Sequence, residues 1–450
     1  MTQRSPSPII ESPLEWVALR LYSTAMWLAQ PLLLLKLWWR GRQQPLYRAR
    51  LVERFGFYQP SASTLETRIW VHTVSLGETL AISTLIRQLR RQWPSVRFVF
   101  THSTATGMAA GAAMLENGDV QVWAPWDTPG AVARFLRSHE PKLALVMETE
   151  VWPGWLYQCE QRGVPVCLIN GRLSERSMNK SLRLSWLSRP AFARISDVLA
   201  QSAADERRFR KVGAQSVQAL GNLKFDVEIA AAPLGTASQW RLRLKKPLVT
   251  LASAREGEEA LWLQAWLNLR RDSQHMDVNW LVVPRHPERF GAVQALLESA
   301  GLDVGLRSDW GESGPSSHDQ CDIWLGNSMG EMPLYLGLSD VVLMGGSFAP
   351  LGSQNFIEAA ACGAAVVVGP SVFNFAEAAQ SIKEAGGLVQ VQTMTEGVHA
   401  ARLLALDPVR KESMAAKASG VLQGQKGATH RTLSALAQHR ERLGYSPSQA

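Results

Sequence analysis

From residue 67 onward the chain alternates short apolar runs with amphipathic segments, and it does so twice. Runs at 68–74, 97–101, 120–124, 143–147, 164–169, 197–200 and 217–220 read as strands, and helical patterns such as 78–92 and 203–211 follow most of them. The stretch 229–246, IAAAPLGTASQWRLRLKK, breaks the rhythm and reads as a linker into a helix. A second series follows, with strands near 248–252, 278–283, 322–325, 340–345, 364–368 and 387–391. Strands separated by helices imply βαβ units and parallel sheets covered on both faces. Two doubly wound, Rossmann-like α/β domains are expected. The expected division is an N-terminal anchor at 1–45, a first domain at 46–235, a second at 236–442 that includes a final helix at 427–441, and a mobile tail at 443–450. Ligands in such sheets lie beyond the carboxyl ends of the strands, and two facing domains place theirs in a shared cleft.

Residues 14–39, LEWVALRLYSTAMWLAQPLLLLKLWW, stand apart. The longest uncharged run, Leu21 to Leu35, has 15 residues. A straight spanning helix needs ~20, so this segment either spans with Arg20 and Lys36 snorkelling or dips into the surface. Trp16, Trp27, Trp38 and Trp39 suit a membrane interface. Lys36, Arg40, Arg42, Arg48, Arg50 and Arg54 follow, opposed only by Glu53. That asymmetry keeps the following chain cytoplasmic and favours anionic lipid, at ~1 kcal/mol per basic residue near the surface. The whole chain carries a formal +8, but its basic residues are dispersed and no nucleic-acid motif accompanies them. The four cysteines, Cys159, Cys167, Cys321 and Cys362, lie far apart and suggest neither a disulfide framework nor a zinc ribbon.

Several chemical options have no anchor. There is no Gly-x-x-x-x-Gly-Lys-Ser/Thr and no Gly-x-Gly-x-x-Gly after the first strand. His-Glu-x-x-His and Asp-x-Asp are absent, so no dedicated metal site is indicated. Five segments remain. In Trp70-Val-His-Thr-Val-Ser-Leu-Gly-Glu78 a strand ends, Gly77 permits close approach, and Glu78 opens a helix. On spacing alone Glu78 reads as a helix-start carboxylate, although a general base would also sit there. Glu148-Thr-Glu150-Val-Trp-Pro153 places two carboxylates after a strand; one of them reads equally as a helix cap. In Gly221-Asn-Leu-Lys224 the lysine either neutralises developing negative charge or is solvated. Pro284-Arg285-His-Pro-Glu-Arg289 reads as an anion grip in a stiff loop. The stretch from Met329-Gly330-Glu331 through Gly345-Gly-Ser347 and Gln354-Asn-Phe-Ile-Glu358 to Gly369-Pro370 reads as a nucleotide cradle. Its glycine turns would offer backbone N–H groups to phosphate, and Glu358 would accept from ribose hydroxyls.

Taken in order, LWWRGR…YRARLVERFGFY, VSLGE, METEVWP, NGRLS, GNLKFD, PRHPER, MGE, GGS, N-x-x-E and GPSVFNF resemble the 3-deoxy-D-manno-octulosonic acid (Kdo) transferases over nearly the whole chain. The resemblance implies a GT-B glycosyltransferase fold, monotopic at the cytoplasmic face of the inner membrane. It implies transfer of Kdo from CMP-Kdo to the lipid A precursor (lipid IVA) by an inverting displacement without metal or other cofactor. By the same resemblance, Glu78 matches the general base, and Glu148 and Lys224 match positions assigned to transition-state stabilisation. Pro284 and Arg285, Met329, Gly330 and Glu331, and Asn355, Phe356, Ile357 and Glu358 match CMP-binding segments. Lys224 and Arg285 would then be the counter-charges to the donor's phosphate and carboxylate.

The pattern is not followed everywhere. Ala252-Ser-Ala-Arg255 stands where the family shows Ala-Ser-Thr-His, Gly326-Asn-Ser328 where it shows Gly-Asp, and Gly352-Ser-Gln-Asn355-Phe-Ile-Glu358 where it shows Gly-Gly-His-Asn-Pro-Leu-Glu. Those changes bear on donor contacts. They keep two other readings open: a membrane-anchored nucleotide-sugar-binding scaffold without catalysis, and a GT-B enzyme using another nucleotide sugar.

Overall fold

The computed structural model describes residues 13–42, 44–59, 67–227, 229–272, 277–315 and 321–445. The chain divides into two units, one up to Asp226 together with the segment from Gly427 onward, the other Val227–Lys426.

The first unit is built on seven strands: β1 (Arg68–Thr73), β2 (Arg97–His102), β3 (Val120–Trp123), β4 (Leu143–Met147), β5 (Val166–Gly171), β6 (Asp197–Ala200) and β7 (Val217–Ala219). They pair in parallel in the order β3-β2-β1-β4-β5-β6-β7. Every residue of β1 and β4 is buried, as a sheet covered on both faces requires. The chain runs outward from β1 to β3, then returns to lay β4 on the other flank of β1. That reversal is the topological switch point, where the loops after neighbouring strands diverge and leave a crevice.

The second unit repeats the plan with β8 (Leu248–Ala254), β9 (Asn279–Pro284), β10 (Val304–Leu306), β11 (Ile323–Leu325), β12 (Val341–Met344), β13 (Ala365–Val368) and β14 (Leu388–Gln390). All pairs are parallel, in the order β10-β11-β9-β8-β12-β13-β14, so the switch lies between β8 and β12. β10 was not anticipated: three residues, Val-Gly-Leu, at the edge of a sheet leave too short a run to read.

The domain bounds need correction. The chain leaves the first unit at Asp226, not 235, and its C-terminal segment belongs to the first unit, not the second. Ala428, Leu436 and Leu443 pack into the core formed by Ile69, Leu145, Cys167 and Ile86. The Asp226 carboxylate accepts the Gly427 and Thr429 amides. A terminal helix's apolar stripe does not say which of two sheets it covers, so the sequence alone could not place it. Leu443 is buried and Tyr445 is tied to Ser95, so the expected mobile tail starts too early; residues 446–450 lie outside the described residues.

The anchor region forms one helix, Pro13–Arg40, and residues 1–12 lie outside the described part. It is docked on the first unit. Tyr22 Oη donates to the buried Asp127 Oδ2 at 2.8 Å, and Arg194 bridges Glu15 and Glu160 at 2.5 and 2.7 Å. Its other side leaves Trp16, Leu21, Trp27, Leu28, Leu32, Leu35 and Trp39 exposed. No helix among the described residues is long and apolar enough to cross a membrane. Arg54 must be removed from the lipid-facing set. It is buried, with its guanidinium 4.2 Å from the Trp123 ring centroid, because Glu53 beside it reaches inward to accept the Trp123 amide.

Candidate active site

β1 hands over to the helix Leu76–Gln92 through Val74 and Ser75. Ser75 is the N-cap, and Glu78 sits three residues on. Glu78 Oε2 accepts the Val74 amide at 2.8 Å and Oε1 accepts the Ser75 hydroxyl at 2.9 Å. Ser75 Oγ accepts the Glu78 amide in return at 3.4 Å, a variant of the capping box in which the carboxylate reaches the residue before the N-cap, so the helix-start reading of Glu78 is real. A second property was invisible in the spacing. Burial first, and the neighbouring Glu148 carboxylate next, push the Glu78 carboxyl up from 4.5 to about 7. A carboxyl near neutrality can hold or release a proton at physiological pH. A Cβ at Gly77 would meet nothing nearer than Ser75 Oγ at 3.9 Å, so the surface beside Glu78 is open.

Glu148 follows β4, the strand across the switch point from β1. Its φ is +56°, a left-handed backbone that a residue with a side chain rarely adopts. Strain of this kind persists where the surrounding structure over-determines it, and it clusters at functional sites. Glu150 accepts from Trp152 Nε1 at 2.7 Å and, through burial, holds its proton above the usual carboxylate range. Neither carboxylate caps the helix Pro153–Gln161. Asp127 does, accepting the Gly154 amide at 3.0 Å, and burial lifts its carboxyl to about 6.

Lys224 comes from the far edge. It follows β7, three strands from β4, yet its Nζ donates to Glu148 Oε1 at 2.9 Å. The chain after β7 runs back over the carboxyl ends of β6 and β5, guided by side chains there. Asn222 Nδ2 donates to Gln201 Oε1 at 3.2 Å, and Leu223 N donates to Asn170 Oδ1 at 2.9 Å. Gln201 Nε2 in turn donates to the Asn170 carbonyl at 3.0 Å. Asn170 is buried and left-handed at φ +54°, a conformation asparagine tolerates. In the sequence, Asn170 and Asn222 stand only as parts of the NGRLS and GNLKFD motifs. Asn170→Gly keeps the backbone available and removes the acceptor. We expect kcat to fall about tenfold, the size of one lost hydrogen bond, with donor KM unchanged. A steady-state comparison checks this.

In the second unit, Arg285 follows β9 and the helix Phe356–Ala361 follows the turn after β12, on either side of β8. Arg285 and Glu358 feel each other: the guanidinium opposes the rise that burial imposes on the Glu358 carboxyl. Arg255, which departs from the family pattern, donates from Nη1 to His286 Nε2 at 2.6 Å. Burial, then Arg255 and Arg285, push His286 below its ordinary value, so the ring is neutral and accepts. Neither Arg255 nor Arg285 has a carboxylate within ion-pair distance among the described residues. Two guanidiniums held together in a half-buried site call for an anion. Asn355 Oδ1 is buried with no partner, a free acceptor at the same strand ends.

The side chains of Phe356, Ile357 and Pro284 are buried. Glu331 is engaged by Arg307 at 2.7 Å and by Ser328, while Met329 and Gly330 lie exposed on the loop before it. No hydrogen bond or ion pair joins this group to Arg285 or Glu358 among the described residues. In the Gly345-Gly-Ser347 turn, the Gly346 and Phe348 amides are taken by Glu258 at 2.6 and 2.9 Å. Gly345 is required there for another reason: a Cβ would meet the Ser253 carbonyl oxygen at 2.4 Å. Glu258, at the start of the helix Glu258–Asp272, organises this turn, and no local pattern in the sequence marks it. Among the described residues, the group with metal-ligand spacing is Cys167, Asp197 and His439, at the amino ends of β5 and β6 and away from Glu78.

Residues 49–227 match the sequence family described as 3-Deoxy-D-manno-octulosonic-acid transferase (kdotransferase). The 3-deoxy-D-manno-octulosonic acid transferase of Bordetella pertussis is 38% identical over 427 residues, covering 92% of this chain and 98% of its own. The chain belongs to the Kdo transferase family. The enzyme of that name from Haemophilus influenzae is 30% identical, covering 94% of this chain and 98% of its own. Membership makes the chain a glycosyltransferase. For the fold, a UDP-GlcNAc 2-epimerase from Neisseria meningitidis superposes with a TM-score of 0.52 at 15% identity, covering 83% of this chain and all of its own. Two Rossmann-like units are the building plan of GT-B glycosyltransferases, and the family member described here has that plan.

Proposed function

We propose that the chain transfers Kdo from CMP-Kdo to the lipid A precursor, working at the cytoplasmic face of the inner membrane. The observation that carries the mechanism is the raised carboxyl of Glu78, beside Glu148 at the switch point of the first sheet. Ionised Glu78 takes the proton of the acceptor hydroxyl. That oxygen bonds to the anomeric carbon of Kdo as the bond to the CMP phosphate breaks, giving inversion. Lys224, held by Glu148, lies where negative charge develops. In the second unit, Arg285 and Arg255 meet the phosphate, and Asn355 and Glu358 meet the nucleoside. These cations balance the donor's charge, which supports a reaction without a metal. The docked helix Pro13–Arg40, apolar on its exposed side and followed by Arg40, Arg42 and Arg48, supports attachment to an anionic bilayer.

The test is a single incubation of purified protein with CMP-Kdo and the tetra-acylated precursor, read by product mass. A product heavier by Kdo is expected. Unchanged acceptor, with CMP still bound, would favour the scaffold reading, and protection by UDP over CMP would favour another nucleotide sugar. Arg255→Ala is expected to raise KM for CMP-Kdo about tenfold with kcat within about twofold, the loss of a charge-assisted contact. A donor titration decides it.

A further inference from the structure

Beside Glu148 lies a cavity of about 260 Å³ within the first unit. The helices Glu175–Arg183 and Ser185–Ala193 form a hairpin over the loop after β4, and the cavity opens between them. Val151, Leu173, Leu187, Ala191 and Phe192 supply apolar wall, and Thr149, the residue after Glu148, closes one side. Ser177, Lys180 and Ser181 stand at the wall contributed by the first helix. The hairpin has a strong charge bias: from Arg172 to Arg189 it carries five cations (Arg172, Arg176, Lys180, Arg183, Arg189) against Glu175, a net +4. All five are exposed, and none has a carboxylate within ion-pair distance among the described residues. Leu184 and Trp186, at the tip, are 42% and 50% exposed. The helix Ser185–Ala193 also packs on Pro13–Arg40, whose outer side is apolar.

A largely apolar hole with Lys180 at its wall, in a hairpin that carries four further exposed arginines and lies beside an apolar surface, fits an anionic amphiphile. We propose that this cavity takes one acyl chain of the lipid acceptor, with Lys180 and its basic neighbours facing the acceptor's anionic groups. The inference rests on the reading of the acceptor as an acylated, phosphorylated lipid. The chain's seat beside Thr149 would fix the acceptor's register, so that its hydroxyl arrives near Glu78 and Glu148. The cavity is thus a specificity subsite for acylation.

Two variants test it, Ser181→Trp and Ser177→Trp, each filling the cavity from a partly exposed position on the first helix. Binding of the tetra-acylated acceptor is measured without donor, and turnover is measured on both the acylated acceptor and one stripped of its chains. Acylated-acceptor binding should weaken about tenfold in either variant, while turnover of the stripped acceptor stays at the wild-type value. Unchanged binding in both variants would overturn the proposal. So would an equal loss on both acceptors, which marks general damage. Loss of binding to anionic phospholipid vesicles with acceptor binding intact would assign the cavity to a bilayer lipid and likewise overturn it. A wild-type protein that binds the acylated acceptor yet transfers Kdo to neither would refute the activity and leave the binding arm to decide the cavity.

Discussion

Replacing Glu78 with glutamine lowers kcat by about 10²–10⁴-fold at pH 8 and leaves KM for CMP-Kdo within about twofold. That range is what a positioned general base contributes. Glutamine keeps the size of the side chain and can still accept one of the two bonds from Val74 N and the Ser75 hydroxyl, so the helix start survives. The donor contacts come from Lys224 and from residues between Arg255 and Glu358, none of which the substitution touches, so donor affinity has no reason to change. Steady-state kinetics on the folded variant provides the measurement. Near wild-type kcat would reduce Glu78 to the capping role that it visibly has.

Lys224→Ala is expected to cost about 10²–10³ in kcat, the scale of losing one preorganised charge at a reacting centre. It also leaves Glu148 without its partner at 2.9 Å. The Glu148 charge is then felt more strongly by Glu78, whose carboxyl Glu148 already pushes up. The acid limb of the pH–rate profile therefore moves to higher pH. Glu148→Gln acts in the opposite sense. It removes the neighbouring negative charge and frees the lysine, so Glu78 loses its proton more readily and the limb moves to lower pH. A Lys224→Ala variant that lowers kcat without moving the limb would mark a lysine that merely braces the loop.

The two sheets were readable because their strands are buried on both faces and appear as continuous apolar runs, from Arg68–Thr73 to Ala365–Val368. The carboxylates at their ends were readable by position. What the sequence concealed depends on contacts between distant segments. The route of Lys224 to Glu148 passes through Asn170 and Gln201, 54 and 23 residues earlier in the chain, and no local pattern announces such pairs. The Gly345-Gly-Ser347 turn looks like an open phosphate loop until Glu258, on another strand–helix junction, fills its amides. Arg54 looked like part of a lipid-facing run because its neighbours are basic, and only the fold shows it under Trp123. The C-terminal helix returned to the first unit for a similar reason, since its apolar stripe matches either sheet.

The central claim is that a half-buried carboxyl at the first sheet's switch point takes the acceptor's proton. Its folded-state value is raised from 4.5 to about 7, and the base works only when ionised. Activity should therefore be lost as pH falls through about 7 and be complete above it. The decisive measurement is kcat/KM for the acceptor against pH, from 5 to 9, for wild type and Glu148→Gln at saturating CMP-Kdo. The account predicts an acid limb centred near pH 7 in the wild type that moves down in the variant. A wild-type profile that stays nearly flat down to pH 5, as an ordinary carboxylate at 4.5 would give, or a limb that stays in place when Glu148 loses its charge, would contradict it.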